Sequence, residues 1–436
     1  MQIKIDSYKN IKDLRITIPD SKLLILLGSN GVGKTNTLEA ISLGLYNFDN
    51  DTRYDSTYLL SLDALTNHDV NYPHQKEIRE IIGDSPDDFQ NSLLNYLEKA
   101  HQEIQKPLLR QYINDALTSL SYSITNNKFD PSTLAITRLV ILHRLYQTAQ
   151  KENKKYIILV DSPELFAHPL LMDEITTILS QLREIGCLII LSTHSNYVIS
   201  KMFTSFLEIV KLDKDPEGLV VAQCVDMEKI KKEIKLFYDS DENLKHSFSR
   251  SSHYDEGLLT LLDKDIEAYL ITAFRDHIIT AYFSKVVVLG EGASENVLFD
   301  YIENEIHPNW IREHQVGFIT CMGKSTMPLY FIFLNQLGVK TFVLYDYDNQ
   351  DNVVHKAYKE GFDNYYQSHK SLFGSYYLKP DLEGYLNIDF TKVQSIIKPV
   401  HIFNYTFLQK TENHALTELL DVIEDNIIRM VKTNEH

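Results

Sequence analysis

Three sets of residues in this sequence have the types and spacing for phosphate and metal chemistry. The first is Gly28-Ser29-Asn30-Gly31-Val32-Gly33-Lys34-Thr35, which fits G-x(4)-G-K-[ST] without a mismatch. Its glycines let backbone N–H groups face phosphate oxygens where a Cβ would obstruct them. Lys34 offers a point charge to the β- and γ-phosphates, and the Thr35 hydroxyl suits a Mg²⁺ shell. The second set is Asp161, a carboxylate that ends an apolar run, and His194, which ends another. The third is acidic: Glu291, Glu295, Asp346, Asp348, Asp381 and Glu383. Gathered on one sheet edge, these carboxylates would repel one another, and hard divalent cations are the usual remedy. Two ions roughly 4 Å apart can activate water and stabilise a leaving oxygen.

The elements that would position these groups follow from hydrophobic patterning. Leu23 to Leu27 is a short apolar run entering the glycine loop, so it reads as a buried strand, with helical spacing resuming at Thr37-Leu38-Glu39-Ala40-Ile41. The phosphate then sits at a helix N-terminus. Residues 2–18 alternate around Tyr8-Lys9-Asn10 and predict a hairpin leading into that strand; 47–75 read as loop, and 76–150 as helical with breaks near 83–86 and 126–131. Ile157-Ile158-Leu159-Val160-Asp161 and Leu188 to His194, separated by a helix from Leu171 to Arg183, form a βαβ pattern of a parallel sheet, whose ligands collect at strand C-terminal ends. Residues 205–226 predict a closing strand pair. A polar stretch, 228–253, reads as a linker with helical parts, most simply a solvated face, and a long amphipathic helix is expected over about 256–282. A second α/β unit follows, with strands at Val286 to Leu289 and Thr341 to Tyr345. The expected division is 1–227, 228–284 as a helical linker or dimerisation segment, and 285–436.

With 436 residues, 44% of them hydrophobic, the chain can fill two or three cores. Its 43 basic and 60 acidic side chains leave a net charge of −17, which argues against a protein that coats nucleic acid non-specifically and suits a carboxylate-rich metal site. Three widely spaced cysteines, Cys187, Cys224 and Cys321, lack zinc-like spacing and read as small apolar residues of a reduced compartment. No signal peptide and no apolar run near 18 residues is seen, so the expectation is a soluble cytoplasmic protein without membrane contact.

Asp161-Ser162-Pro163-Glu164 and Ser192-Thr193-His194-Ser195, together with the glycine loop and Asn10, resemble the ABC-type ATPase heads of SMC-like proteins and of the overcoming-lysogenization-defect (OLD) family. The resemblance implies ATP and Mg²⁺ (or Mn²⁺) as cofactors, Asn30, Gly31, Gly33, Lys34, Thr35, Asp161 and Glu164 as nucleotide contacts, and His194 as the γ-phosphate switch. Two departures stand out. Ser162 occupies the position of the family's water-polarising glutamate, and serine cannot take a proton at neutral pH without its own base. The S-x-G signature loop is reduced to Pro131-Ser132-Thr133, with Ser132 left to cap the following helix. Both predict slow hydrolysis.

Val287-Val288-Leu289-Gly290-Glu291-Gly292-Ala293-Ser294-Glu295, the Asp346-Tyr347-Asp348 strand end and Asp381-Leu382-Glu383 resemble a Toprim domain of the OLD type. By that pattern Glu291 and Asp346 hold one ion, Glu295, Asp381 and Glu383 serve a second, and Lys410 is a catalytic lysine beside the scissile phosphate. From the residues alone, alternatives stay open: Asp381 or Glu383 as a simple helix-start acid, Lys410 as a surface lysine, and Asp348 as a supporting carboxylate. None of the 26 tyrosines has a topoisomerase-like context, which points to water as nucleophile. The resemblance implies an ATP-controlled, two-metal DNA endonuclease of anti-phage defence, working as a homodimer or higher oligomer, with an operon-encoded partner allowed. Alternatives are an ATPase scaffold that holds a partner effector, and a ribonuclease acting on structured RNA such as tRNA, since phosphate chemistry is common to both.

Overall fold

The computed structural model describes residues 1–48, 54–61, 89–126, 131–245, 257–347, 352–388, 397–408 and 414–432. These form two compact units, Met1–Cys224 and Val225–His436.

The first unit opens with the predicted hairpin, β1 (Gln2–Tyr8) against β2 (Ile11–Thr17), closed by the pair Tyr8 and Ile11. Its alternating isoleucines are fully buried. β3 (Leu23–Leu27) is buried at every residue, which explains its unbroken apolar run, and feeds the helix Lys34–Ser42. β4 (Asn47–Phe48) joins the hairpin sheet.

The expectation of loop over 47–75 is corrected within its described part, because β5 (Ser56–Leu60) is an edge strand paired in parallel with the strand Tyr156–Asp161. Its Tyr58, Leu59 and Leu60 are buried. The polar flanks masked this short strand. Helices Phe89–Glu103, Pro107–Asn126 and Ser132–Glu152 follow. β6 (Tyr156–Asp161), the helix Pro169–Glu184 and β7 (Leu188–Ser192) make the predicted βαβ unit, and β8 (Ile209–Lys214) with β9 (Val220–Cys224) is the expected antiparallel pair. The sheet order is β5-β6-β7-β3-β8-β9. Asp161 and the Ser192–His194 segment therefore leave adjacent strands, with β7 lying between β6 and the P-loop strand.

In the second unit the described part of the stretch expected as linker, 228–245, packs into the fold. The helix Met227–Tyr238 places Phe237 edge-on to Phe331, ring centres 5.7 Å apart, and Glu233 accepts a hydrogen bond from the Tyr365 hydroxyl at 3.2 Å. The single long helix expected next is two, Gly257–Phe274 and Ile278–Phe283, because the chain turns where the His277 N–H bonds the Phe274 carbonyl at 2.8 Å. Phe274 and Ile278 on either side of that turn are both fully buried.

A parallel four-stranded sheet follows, β10 (Val286–Gly290), β11 (Val316–Thr320), β12 (Lys340–Asp346) and β13 (Phe373–Leu378), in the order β11-β10-β12-β13. Helices Ala293–Tyr301, Met327–Gln336, Val353–Ser368 and His414–Lys432 accompany these strands. Val286, Val288, Phe342 and Leu344 from the sheet share a core with Leu419, Ile423 and Ile427 of the last helix. Among the described residues no helix is long and apolar enough to cross a membrane. Cys187 and Cys321 are buried as expected of small apolar residues, whereas Cys224 is exposed.

Candidate functional sites

In the first unit the glycine loop is built by close approach. Gly33 has φ +123° and a Cβ there would lie 2.6 Å from Val220 Cγ2; Gly28 has φ +154° and would meet the Leu212 carbonyl oxygen at 2.5 Å. Only glycine fits either position. Asn10 closes the loop from outside, donating to the Val32 carbonyl at 3.2 Å while its own side-chain oxygen accepts from Asn36 at 2.6 Å. Asn30 and Gly31 are exposed on the loop. Lys34 is buried, with its ammonium donating to the carbonyls of Gly28 at 2.8 Å and Ser29 at 3.1 Å. Burial lowers its pKa, while Asp161 and Glu164 pull the other way.

Thr35 Oγ1 donates to Asp161 Oδ2 at 2.8 Å, so the hydroxyl and carboxylate predicted to share Mg²⁺ lie side by side. Ser192 donates to the other Asp161 oxygen, and the Ser162 hydroxyl lies 3.4 Å from it. Ser162 itself is left-handed, φ +48°, which puts it in a sharp turn after the strand. Glu164 faces the end of β7 instead: it accepts from Thr193 Oγ1 and from the His194 N–H, each at 2.9 Å. Burial and the Lys34 charge both lower the His194 pKa, which favours a neutral ring, against the pull of Glu164 and Asp161.

Two features differ from sequence expectation. Ser132 does not cap its helix; Pro131 holds the N-cap position without a side-chain bond, and Ser132 is the first helical residue. Arg138, which no motif marked, is fully buried on that helix and donates to the carbonyls of Ser162 at 3.3 Å and Pro163 at 3.1 Å. Burial lowers its pKa to about 10, with Asp161 and Glu164 opposing. The only sequence signal was an arginine inside a mostly apolar stretch, Ala135 to Leu142, broken otherwise only by Thr137.

In the second unit the acids gather at the C-terminal edge of the parallel sheet, where such folds place ligands. Glu291 follows β10 and accepts from the Asp346 N–H at 3.3 Å; Asp346 Oδ1 accepts from the Leu382 N–H at 3.0 Å. Glu295 packs against the end of β10, since a Cβ on Gly290 would lie 2.6 Å from the Glu295 Cβ. It is buried, and its carboxylate accepts from the Gly292 N–H at 2.8 Å. Burial pushes its pKa up to about 7; backbone N–H donors offset part of this, and Glu291 and Glu383 push it further up.

Glu383, also buried, accepts from Ser294 at 2.7 Å, tying the third acidic segment to the first. Asp381 is a helix-start acid, accepting from the Gly384 N–H at 2.8 Å, and is more than that. Lys398 bridges Asp381 at 3.0 Å and Glu383 at 3.1 Å. Burial works against the Lys398 charge, but the two carboxylates outweigh it and hold its pKa above the usual lysine range. Lys324, buried, lies 3.9 Å from Glu291 and 3.2 Å from His355. Sequence reading passed over Lys398 and Lys324 as site residues, because nothing in a lone lysine signals which carboxylates it will meet. Asp348 and Lys410 lie outside the described residues.

Glu291, Asp346, Asp381 and Glu383, with Glu295 behind them, are thus linked into one cluster. The donor set is all hard oxygen, which suits Mg²⁺ or Mn²⁺. The arrangement itself is not a ready cation cage: among the described residues no three His, Cys, Asp or Glu side chains are placed to hold one ion.

A P-loop sheet with its Thr35–Asp161 pair, followed by a parallel α/β sheet rimmed with acids, defines a P-loop ATPase unit and a Toprim-like unit on one chain. Residues 2–270 match the AAA domain family, and residues 282–348 match the family described as overcoming lysogenization defect protein-like, TOPRIM domain. The chain belongs to the AAA domain family, whose match covers more than half of it, and carries a shorter C-terminal stretch similar to the OLD-type TOPRIM domain. It is similar to the Old nuclease of Escherichia phage P2, 23% identical over 214 residues, which cover 49% of this chain and 31% of that protein. The chain thus spans about a third of the length of this curated relative. Solved structures that the chain matches at low similarity include an ATP-binding subunit of an ABC transporter, 15% identical with a TM-score of 0.31, covering 54% of this chain and 93% of that one. Another is an SMC head bound to the winged-helix domain of ScpA, 12% identical with a TM-score of 0.31, covering 53% and 98%.

Proposed function

We propose that this chain is an ATP-binding, divalent-metal-dependent endonuclease of the OLD type that cuts DNA under control of its ATPase head. One observation carries the reading: Glu291 and Asp346, within the stretch that matches an OLD-type TOPRIM, meet Asp381 and Glu383 at a single sheet edge. The similarity to the Old nuclease supports the same class. Nicking of supercoiled DNA with Mg²⁺ or Mn²⁺ tests it. Wild type should nick and Glu291→Ala should not, and equal activity in both would sink the proposal. Running tRNA under the same conditions separates the ribonuclease alternative.

The head acts in this reading as a slow switch. Thr35 and Asp161 are paired as a Mg²⁺·nucleotide site needs, but Ser162 stands where a general base is expected, and Glu164 is engaged by Thr193 and His194. Bound ATP is therefore long-lived, in a homodimer or higher oligomer. Lys34→Ala should abolish nucleotide binding and alter nuclease regulation without changing metal uptake; nuclease output indifferent to ATP in both forms would remove the switch. A role in anti-phage defence belongs to the same proposal, with loss of protection in the Glu291→Ala strain as its test.

A further inference from the structure

The acidic cluster already contains a cation of its own. Lys398 begins the helix Lys398–Phe403 and reaches back to Asp381 at 3.0 Å and Glu383 at 3.1 Å. Those two carboxylates are also fixed from behind, Glu383 by Ser294 at 2.7 Å and Asp381 by the Gly384 N–H at 2.8 Å, so the ammonium meets a prearranged pair. Two neighbouring carboxylates need a positive charge between them, and a lysine ammonium or a divalent ion supplies it equally well in sign. They cannot share the place. A Mg²⁺ ion takes carboxylate oxygens at roughly 2.1 Å, inside the space that an ammonium at hydrogen-bond distance fills.

We propose that Lys398 is a tethered counter-ion for the Asp381–Glu383 pair, and that a divalent cation takes this pair only by displacing its ammonium. Occupancy of this position then becomes a competition, set by cation concentration and by whatever else can draw the ammonium away. Lys398 is a positioning residue in this account, acting through the two carboxylates. The proposal rests on the metal reading given above.

Calorimetric titration of Mn²⁺ into the full chain, without nucleic acid, tests it independently of cleavage. Lys398→Met removes the competing charge with similar bulk and should bind Mn²⁺ on the order of tenfold more tightly than wild type, within the usual span of coupling between two ligands. Lys398→Arg offers a planar fork that grips carboxylates more firmly, and should bind Mn²⁺ more weakly than wild type. A larger rise in Tm on Mn²⁺ addition for Lys398→Met than for wild type is the second readout. Equal affinities in wild type and Lys398→Met, or a weaker one in Lys398→Met, overturn the proposal while leaving the metal reading intact. If Lys398→Met does not fold, Lys398→Arg decides: affinity below wild type supports the counter-ion, affinity equal to or above it overturns it. Failure of wild type and of both variants to take up Mn²⁺ removes the metal reading and the proposal together.

Discussion

The Glu164 carboxylate accepts the His194 backbone N–H at 2.9 Å, and through its other oxygen the Thr193 hydroxyl at the same distance. The acid nearest the expected water-activating position is therefore committed to the loop that carries the switch histidine. Glu164→Ala should free that loop. One charge-assisted hydrogen bond to an amide is worth about 1.4 kcal/mol, a factor of ten in local opening. Amide hydrogen exchange at residues 193–195 should accelerate roughly tenfold, with Glu164→Gln, which keeps an acceptor oxygen, in between. Unchanged exchange in Glu164→Ala would show that the loop is held by other contacts.

In the proposed reading, Ser162 slows ATP hydrolysis by what it lacks. A positioned general base contributes about 10²–10⁴-fold, so Ser162→Glu should raise ATP turnover by at least roughly tenfold even with imperfect placement. Steady-state phosphate release from both forms is the measurement. No increase would mean that the left-handed turn at φ +48° aims the side chain away from the attacking water.

Arg138 supports that turn from beneath. Its guanidinium is the donor for the Ser162 and Pro163 carbonyls, and Lys or Met in its place leaves them without this partner. Arg138→Met is expected to lose about 2 kcal/mol of stability, since each buried acceptor stranded costs on the order of 1–3 kcal/mol and the Arg138 Nε, itself without a partner, refunds part of it. The urea midpoint should fall accordingly. An unshifted midpoint would assign the turn's rigidity to the chain itself.

Glu295 gives the second unit a pH dependence with a definite sign. Its carboxyl titrates near pH 7 in the fold, chiefly because it is buried, against an ordinary value near 4.5. Between these values the folded state holds the proton more than the unfolded state does, so stability falls as pH rises from about 4.5 to about 7 and is level beyond. Glu295→Gln keeps the shape without the charge and should flatten that slope, so its Tm advantage over wild type grows from pH 5 to pH 8. A constant Tm difference across that range would place the titration elsewhere.

Much of the architecture was legible because it is written in local patterns. The P-loop spacing, the apolar runs of β3, β6 and β7, and the acids at the ends of β10 and β12 each sit within a few residues of the strand that positions them. Buried parallel strands leave unbroken Val, Ile and Leu runs, and glycines at positive φ leave a fixed spacing. Where those cues were weak, reading failed: β5 hid behind polar flanks, and the helices Gly257–Phe274 and Ile278–Phe283 merged into one.

The sequence by itself determined an ATPase-type head with Lys34, Thr35 and Asp161, and a Toprim unit with an acidic site, because backbone geometry ties these side chains to particular strand ends. Only the tertiary structure decided which charges meet. Glu164 turned toward His194, Arg138 came under Ser162, and Lys398 closed on Asp381 and Glu383. A long side chain finds its partner through packing between elements distant in the chain, and no local spacing encodes that meeting.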